Sequence, residues 1–360
     1  MQFTRLGTTG LIVSRFAFGT MTFGSDPRFP GVAKVNLDVA KAMIDRAFGA
    51  GVNFFDTADG YSGGESEVYL GQFLGPRRKD VVVATKVGFR AGEAITAAGL
   101  SRRHIFEACD SSLRKLSTDW IDLYIVHKVD PFTPLEETLE ALNDLVRAGK
   151  VRYIGFSNWP AWQAATALAM QKERGWACFT SGQMYYSLVT RDLEHEFVSF
   201  LQATGTGMNV WSPLAGGFLS GKYTRESFQQ KEKDKEKENR LAGFDFIPFD
   251  KELGFRVIEK LREIGRAHGA SVAQIALAWL LAKPFVTSVI LGATKMSQLE
   301  DNLGAMDVKL LPSEIAALDQ MTAPPQQYPE WFTARTVDPK HKEALGETPA
   351  VKLAAGAAGN

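Results

Sequence analysis

The run Asp122-Leu123-Tyr124-Ile125-Val126-His127, the helix start Thr133-Pro134-Leu135-Glu136 and the later run Val151–Ser157 decide the fold. The first run is apolar and rich in strand formers between two polar ends, as expected for a strand buried on both faces. Thr133 reads as a helix N-cap, with Pro134 at the first helical position and Glu136 in the first turn. Leu135, Leu139, Leu142 and Val146 keep one helical face, and Gly149 supplies a left-handed stop. Val151–Ser157 then returns as a second strand. This is one complete strand–helix–strand unit.

Outward from it, the unit recurs. The candidate strands are Phe16–Gly19, Asn53–Asp56, Val81–Lys86, Asp122–His127, Val151–Ser157, Thr180–Tyr185, Asn209–Pro213 and Ser288–Gly292. Most are spaced by about 25–40 residues, the length of a strand, a helix and two loops. Between them, Ile105, Cys109, Leu113 and Leu116 hold helical period, Ser271 with Gln274 forms a capping box, and Gly51 and Gly269 end helices. Eight such units predict an α/β fold of the (β/α)8 TIM-barrel type over residues 1–322, followed by an extended tail over 323–360. An open α/β sheet is the alternative. A Rossmann sheet would carry GxGxxG after its first strand, and Gly19-Thr20-Met21-Thr22-Phe23-Gly24 does not match. Before the first barrel strand, Gln2 to Ser14 reads as a hairpin around Gly7-Thr8-Thr9-Gly10. Residues 222–248 form an insertion carrying the run Lys231 to Lys237, which reads as a solvated helix or loop, or as a lid.

Composition narrows the function. Forty-one basic residues balance 41 acidic ones, so no net field favours nucleic acid or an anionic membrane, and a small-molecule partner is expected. Two cysteines, Cys109 and Cys178, exclude a disulfide framework and suit a reducing compartment. No apolar run approaches the ~20 residues of a membrane span, and the N-terminus lacks signal-peptide order, so a cytoplasmic location is expected. No HxH, HExxH or Cys/His cluster is present, so no metal is expected.

Catalytic groups of such a barrel stand at the C-terminal ends of its strands. Read this way, Asp56, Lys86 and His127 close three consecutive strands, and Tyr61 lies in the loop after Asp56. A carbonyl reduction needs hydride at carbon and a proton at the developing alkoxide. A phenol near Lys86 would have its pKa lowered, Asp56 would keep the ammonium charged, and His127 would orient the carbonyl. Taken alone, Asp56 with Lys86 also fits a structural ion pair, and His127 a satisfied core histidine. Phe23, Phe89, Trp159 and Phe218 fall near rim loops, where they would either line an apolar substrate pocket or fill core.

Three segments carry a family resemblance: Gly51-Val52-Asn53-Phe54-Phe55-Asp56-Thr57-Ala58-Asp59-Gly60-Tyr61, Ala84-Thr85-Lys86 and Asp122 to His127. With Ile154 to Asn158, Trp211-Ser212-Pro213-Leu214 and Gly292 to Asn302, they resemble the aldo-keto reductases, in particular the branch related to potassium-channel β subunits. The resemblance implies a hairpin plugging the barrel base and the tetrad Asp56, Tyr61, Lys86 and His127. It implies NADP(H) as cofactor, with NAD(H) as the alternative. Ser157, Asn158 and Gln183 would hold the nicotinamide carboxamide, and Trp211 would stack on its ring. Gly19, Thr20 and Met21 would also touch the cofactor. Ser212, Leu214, Gly216 and Lys222 would meet the pyrophosphate, and Thr294, Lys295, Gln298, Asp301 and Asn302 the adenosine end, with Pro213 and Gly292 as further cofactor contacts. The expected substrate is an aldehyde or ketone, or the alcohol in reverse. A redox-sensing module of the channel β-subunit type and a Schiff-base aldolase using Lys86 are the competing functions; oligomeric state stays open.

Overall fold

The computed structural model describes residues 1–27, 31–226 and 247–345. Two short strands, β1 (Phe3–Arg5) and β2 (Ile12–Ser14), pair antiparallel as the expected hairpin. Eight more strands run parallel. They are β3 (Phe16–Gly19), β4 (Phe54–Asp56), β5 (Val82–Val87), β6 (Ile121–Val126), β7 (Val151–Ser157), β8 (Phe179–Tyr185), β9 (Gly207–Trp211) and β10 (Ser288–Leu291). They close in sequence order, with β10 pairing both β9 and β3. This is the (β/α)8 barrel. Its outer helices include α1 (Leu37–Gly49), α2 (Glu65–Leu74), α3 (Arg102–Lys115), α4 (Leu135–Arg147), α5 (Ala161–Glu173) and α6 (Phe197–Thr204), with later helices at Lys251–His268, Val272–Leu281 and Met296–Gly304.

Strand alternation sorts the apolar residues into two cores. Phe16, Phe18, Phe55, Val83, Tyr124 and Phe156 point outward into the layer under the helices. Ala17, Phe54, Val82, Ala84, Leu123, Ile125 and Ile290 point inward and fill the barrel. Burying each large apolar side chain contributes roughly 1.5–3 kcal/mol. The inward series fixes the site: two residues beyond Phe54, Ala84 and Ile125 come Asp56, Lys86 and His127. The same parity gives Ser157, Gln183 and Trp211 on β7, β8 and β9.

The hairpin closes the opposite end. Leu6 is fully buried within the inner core, and the amide of Thr8 donates to Gly205 O at 3.0 Å. Gly7 has φ +59°, and a Cβ there would lie 2.6 Å from Gly205 O and 2.8 Å from Thr180 O. Only glycine fits so close a backbone approach.

Several local expectations need correction. Pro134, not Thr133, is the N-cap of α4; the Thr133 hydroxyl instead donates to Asp130 Oδ2 at 2.7 Å. Val87, rather than Lys86, ends β5, and His127 follows β6 instead of closing it. β9 stops at Trp211, before Pro213, and β10 stops before Gly292. The Ser271–Gln274 capping box is formed. Residues 330–336 and 339–345 of the tail are helical rather than extended. The charge run Lys231–Lys237 and residues 346–360 lie outside the described residues. Among the described residues no helix is long and apolar enough to cross a membrane.

Candidate active site

Where the inner core gives way to polar side chains, a cavity of about 630 Å³ opens at the C-terminal ends of the strands, within the size range of small-molecule and cofactor sites. Asp56, Tyr61 and His127 line it. Lys86 sits behind them, with no exposed surface. Its Nζ donates to Asp56 Oδ1 at 2.5 Å, to Thr57 O at 2.8 Å and to Tyr61 Oη at 3.2 Å. All three donors of the ammonium are therefore used. The Tyr61 and His127 rings meet edge-on with centroids 5.8 Å apart, and Phe89 packs edge-on against His127 at 4.6 Å. One phenol, one ammonium, one carboxylate and one imidazole thus share a rim.

Electrostatics assign them charges. Burial alone would lower the affinity of Lys86 for its proton, but Asp56 and Tyr61 outweigh burial and hold the ammonium above its ordinary pKa. Burial raises the Tyr61 phenol, and the opposing pull of Lys86 does not cancel it. The sequence expectation of a net lowered phenol is thereby corrected: desolvation exceeds the ion–phenol attraction. For His127, burial and the cations Lys86 and Lys128 push the pKa well below the ordinary value, so the imidazole is neutral. Its Nδ1 is buried without a partner.

The side chains assigned to the nicotinamide form a connected polar wall. Gln183 Nε2 donates to Asp56 Oδ2 at 2.7 Å, a contact the sequence did not suggest. Ser157 Oγ donates to Gln183 O at 2.7 Å. Asn158, held at φ +58°, donates through Nδ2 to His127 O at 3.0 Å and to Ser157 Oγ at 2.9 Å. Its Oδ1 accepts from Trp211 Nε1 at 3.0 Å. The Ser157 hydroxyl and both Asn158 amide hydrogens are engaged, while the hydroxyl and amide oxygens each keep a lone pair for a carboxamide N–H. The Trp211 ring packs on Tyr185, centroids 5.0 Å apart and 37° between planes, and lines the cavity.

Farther along, Ser212, Pro213, Leu214 and Gly216 line the cavity, as do Gly19, Met21, Gly292 and Asn302. Ser212 and Ala215 have positive φ, as do Gly216 and Gly217, which folds this loop back on itself. A Cβ at Gly217 would lie 3.5 Å from Lys222 Nζ, so a cation stands beside the backbone of the same loop. A narrow backbone loop next to a lysine fits a phosphate group, and the amide-and-hydroxyl wall fits a carboxamide. The remaining expected contacts do not line the cavity. Thr20 is buried and donates to Asp56 O at 3.2 Å. Thr294 donates to Gln298 Oε1 through both its amide and its hydroxyl, Asp301 accepts from Ser271 Oγ at 2.8 Å, and Lys295 is exposed at the N-cap of Met296–Gly304.

Of the four rim aromatics, only Phe89 faces the cavity. Phe23 packs on Phe18, Trp159 on Phe156 and Phe179, and Phe218 on Phe249 and Phe255; all three are core, contrary to the pocket reading. Sequence reasoning missed Val32, Ala33, Arg90 and Lys128, which line the mouth. Arg90 and Lys128 had a signal in position, each following a strand end by two or three residues; Val32 and Ala33 lie far along the loop after β3 and had none. Among the described residues no cluster of three or more His, Cys, Asp or Glu could hold a metal.

Comparison with known proteins agrees with this geometry. The chain matches the family model "Aldo/keto reductase family" over residues 15–323. A protein of Oryza sativa subsp. japonica named "Probable voltage-gated potassium channel subunit beta" is 37% identical over 337 residues, covering 92% of this chain and 98% of the relative. "Versiconal hemiacetal acetate reductase" of Aspergillus parasiticus is 33% identical over 352 residues, covering 91% and 99%. "Uncharacterized oxidoreductase YrpG" of Bacillus subtilis (strain 168) is 35% identical over 324 residues, covering 86% and 92%. With a closed parallel barrel, a polar rim at its C-terminal end and a family match across most of its length, this chain belongs to the aldo/keto reductase family.

Proposed function

We propose that the protein reduces an aldehyde or ketone to the alcohol with NADPH, reversibly, and that Tyr61 is the proton donor. The observation that carries this reading is the Asp56–Lys86–Tyr61 chain of hydrogen bonds opening onto a cavity beside neutral His127. Bound along the wall from Gln183 to Asn302, the dihydronicotinamide cofactor would supply the hydride. Tyr61 then delivers its proton to the carbonyl oxygen, and Lys86 steadies the phenolate that remains. Asp56 and Thr57 O keep Lys86 charged and aimed. Neutral His127 donates a hydrogen bond to the carbonyl without competing as a stronger acid.

Lys86 is a poor candidate for Schiff-base chemistry. That chemistry needs a free amine, and this ammonium is triply hydrogen-bonded and held above its ordinary pKa. The relative named as a potassium-channel subunit favours a second reading, in which cofactor is bound, turnover is slow and a partner protein reads the redox state.

A panel of neutral aldehydes, ketones and secondary alcohols, followed by cofactor absorbance with both NADPH and NADH, separates the two. Binding of NADPH is expected to quench tryptophan emission through Trp211, and at least one carbonyl should turn over at roughly 1 s⁻¹ or faster. Cofactor binding with negligible turnover across the whole panel would favour the sensor reading.

A further inference from the structure

Between Asp56 and Tyr61, on the same loop, stands a carboxyl group that the proposed reaction does not use. Asp59 is 2% exposed, and no side chain hydrogen-bonds its carboxyl group, which has only the backbone amide of Gly60 beside it. Its backbone amide donates to Lys86 O at 3.2 Å, which ties it to the strand that carries the catalytic ammonium. A second buried carboxylate, Glu67 of α2, acts on it. Thr85 Oγ1 donates to Glu67 Oε1 at 2.6 Å, and Lys115 Nζ of α3 lies 3.6 Å from Oε2.

The charged groups acting on Asp59 come from three elements: Glu67 from α2, Lys115 from α3 and Lys86 from β5. Asp59 acts in turn on the Tyr61 phenol and on Tyr124 of β6. In this set Asp56 is paired with Lys86, and Glu67 with Lys115. An ionised Asp59 would be the one buried charge of the set without a counterion, which a low-dielectric interior disfavours.

We propose that Asp59 is an electrostatic control on the proton donor: it stands neutral in the form that reduces carbonyls and, once ionised, makes Tyr61 a weaker acid. This rests on the reading of Tyr61 as the acid of a carbonyl reduction. Burial first, and Glu67 second, push the Asp59 carboxyl up to about 7, against the pull of Lys115, the Gly60 amide and Lys86. His127 is displaced downward, and Tyr61, Lys86 and Tyr124 upward. Asp59 is therefore the one of these five that changes charge near neutrality. A negative charge there raises the phenol further and slows proton delivery to the alkoxide, while the hydride source is untouched.

The test is the pH profile of reduction of one neutral aldehyde at saturating NADPH, from about pH 5.5 to 8.5. The wild-type rate is expected to fall roughly two- to fivefold through an inflection near neutrality. Asp59→Asn should remove the inflection. Glu67→Gln, whose amide oxygen still accepts from Thr85, should move it to lower pH. A readout free of turnover is the tyrosinate absorbance of each protein minus that of its Tyr61→Phe counterpart, where Asp59→Asn should lower the phenol midpoint by roughly half a pH unit or more. Superimposable profiles for wild type and Asp59→Asn, or an unmoved phenol midpoint, overturn the proposal. If Asp59→Asn does not fold, an inflection that Glu67→Gln leaves in place overturns it equally. A wild type that reduces no carbonyl at any pH contradicts the reductase reading instead, and the phenol midpoint then judges Asp59 alone.

Discussion

Tyr61→Phe is expected to lower kcat for carbonyl reduction by roughly 10²–10⁴-fold while leaving NADPH binding unchanged. The substitution removes one hydroxyl and keeps the ring that packs edge-on against His127. Lys86 loses its 3.2 Å contact with the phenol but keeps Asp56 and Thr57 O, so the ammonium stays paired and folding changes little. What disappears is the proton for the developing alkoxide. The raised pKa of the phenol does not prevent that role, because an alkoxide is a much stronger base than a phenolate. Steady-state kcat and tryptophan quenching by NADPH, measured side by side, check both halves. Full activity in the variant would remove Tyr61 from the mechanism.

Lys86→Met should do more damage, to stability as well as to turnover. The methionine fills a similar volume, but Asp56 is then left buried with Gln183 Nε2 as its remaining side-chain donor. Breaking a buried pair by deleting one partner costs about 3–5 kcal/mol, readable as a drop in the denaturant midpoint at unchanged slope. Adding Asp56→Asn to Lys86→Met removes the orphaned charge and should recover much of that stability. Activity should not return, because no ammonium then steadies the phenolate. Stability recovered without activity separates the structural duty of the pair from its chemical one. If the single variant is as stable as wild type, the buried pair is not what the geometry implies.

The barrel was legible because its strands are buried on both faces and read as short apolar runs, with amphipathic stretches of constant phase between them. Asp56, Lys86 and His127 were legible because polar side chains at the ends of such runs have no packing reason to be there. Strand ends were less exact: Val87 continues β5 past Lys86, since a backbone ladder takes no account of where side-chain polarity changes. The rim aromatics were read by position, yet position on a loop does not fix direction. Trp159 turns inward because Phe156 and Phe179 offer it an apolar seat, whereas Phe89 faces His127 and the cavity. Pairing with Lys86 alone predicts a lowered Tyr61 phenol, but desolvation is the larger effect, and a sequence does not show how deeply a loop residue is buried. The Gln183–Asp56 contact joins residues 127 positions apart, and no local pattern reveals it. Asp59 is visible in the sequence as a second acidic residue between Asp56 and Tyr61, but its burial is not.

The most direct measurement follows the hydride itself. NADPH deuterated at the transferable position of its nicotinamide ring is mixed with the wild-type protein and an aldehyde that it reduces, and the alcohol is examined by mass spectrometry and NMR. One deuterium on the former carbonyl carbon, with a solvent-derived proton on the oxygen, is the predicted result. Alcohol that carries no deuterium at that carbon, or cofactor oxidised without any alcohol formed, would contradict the account.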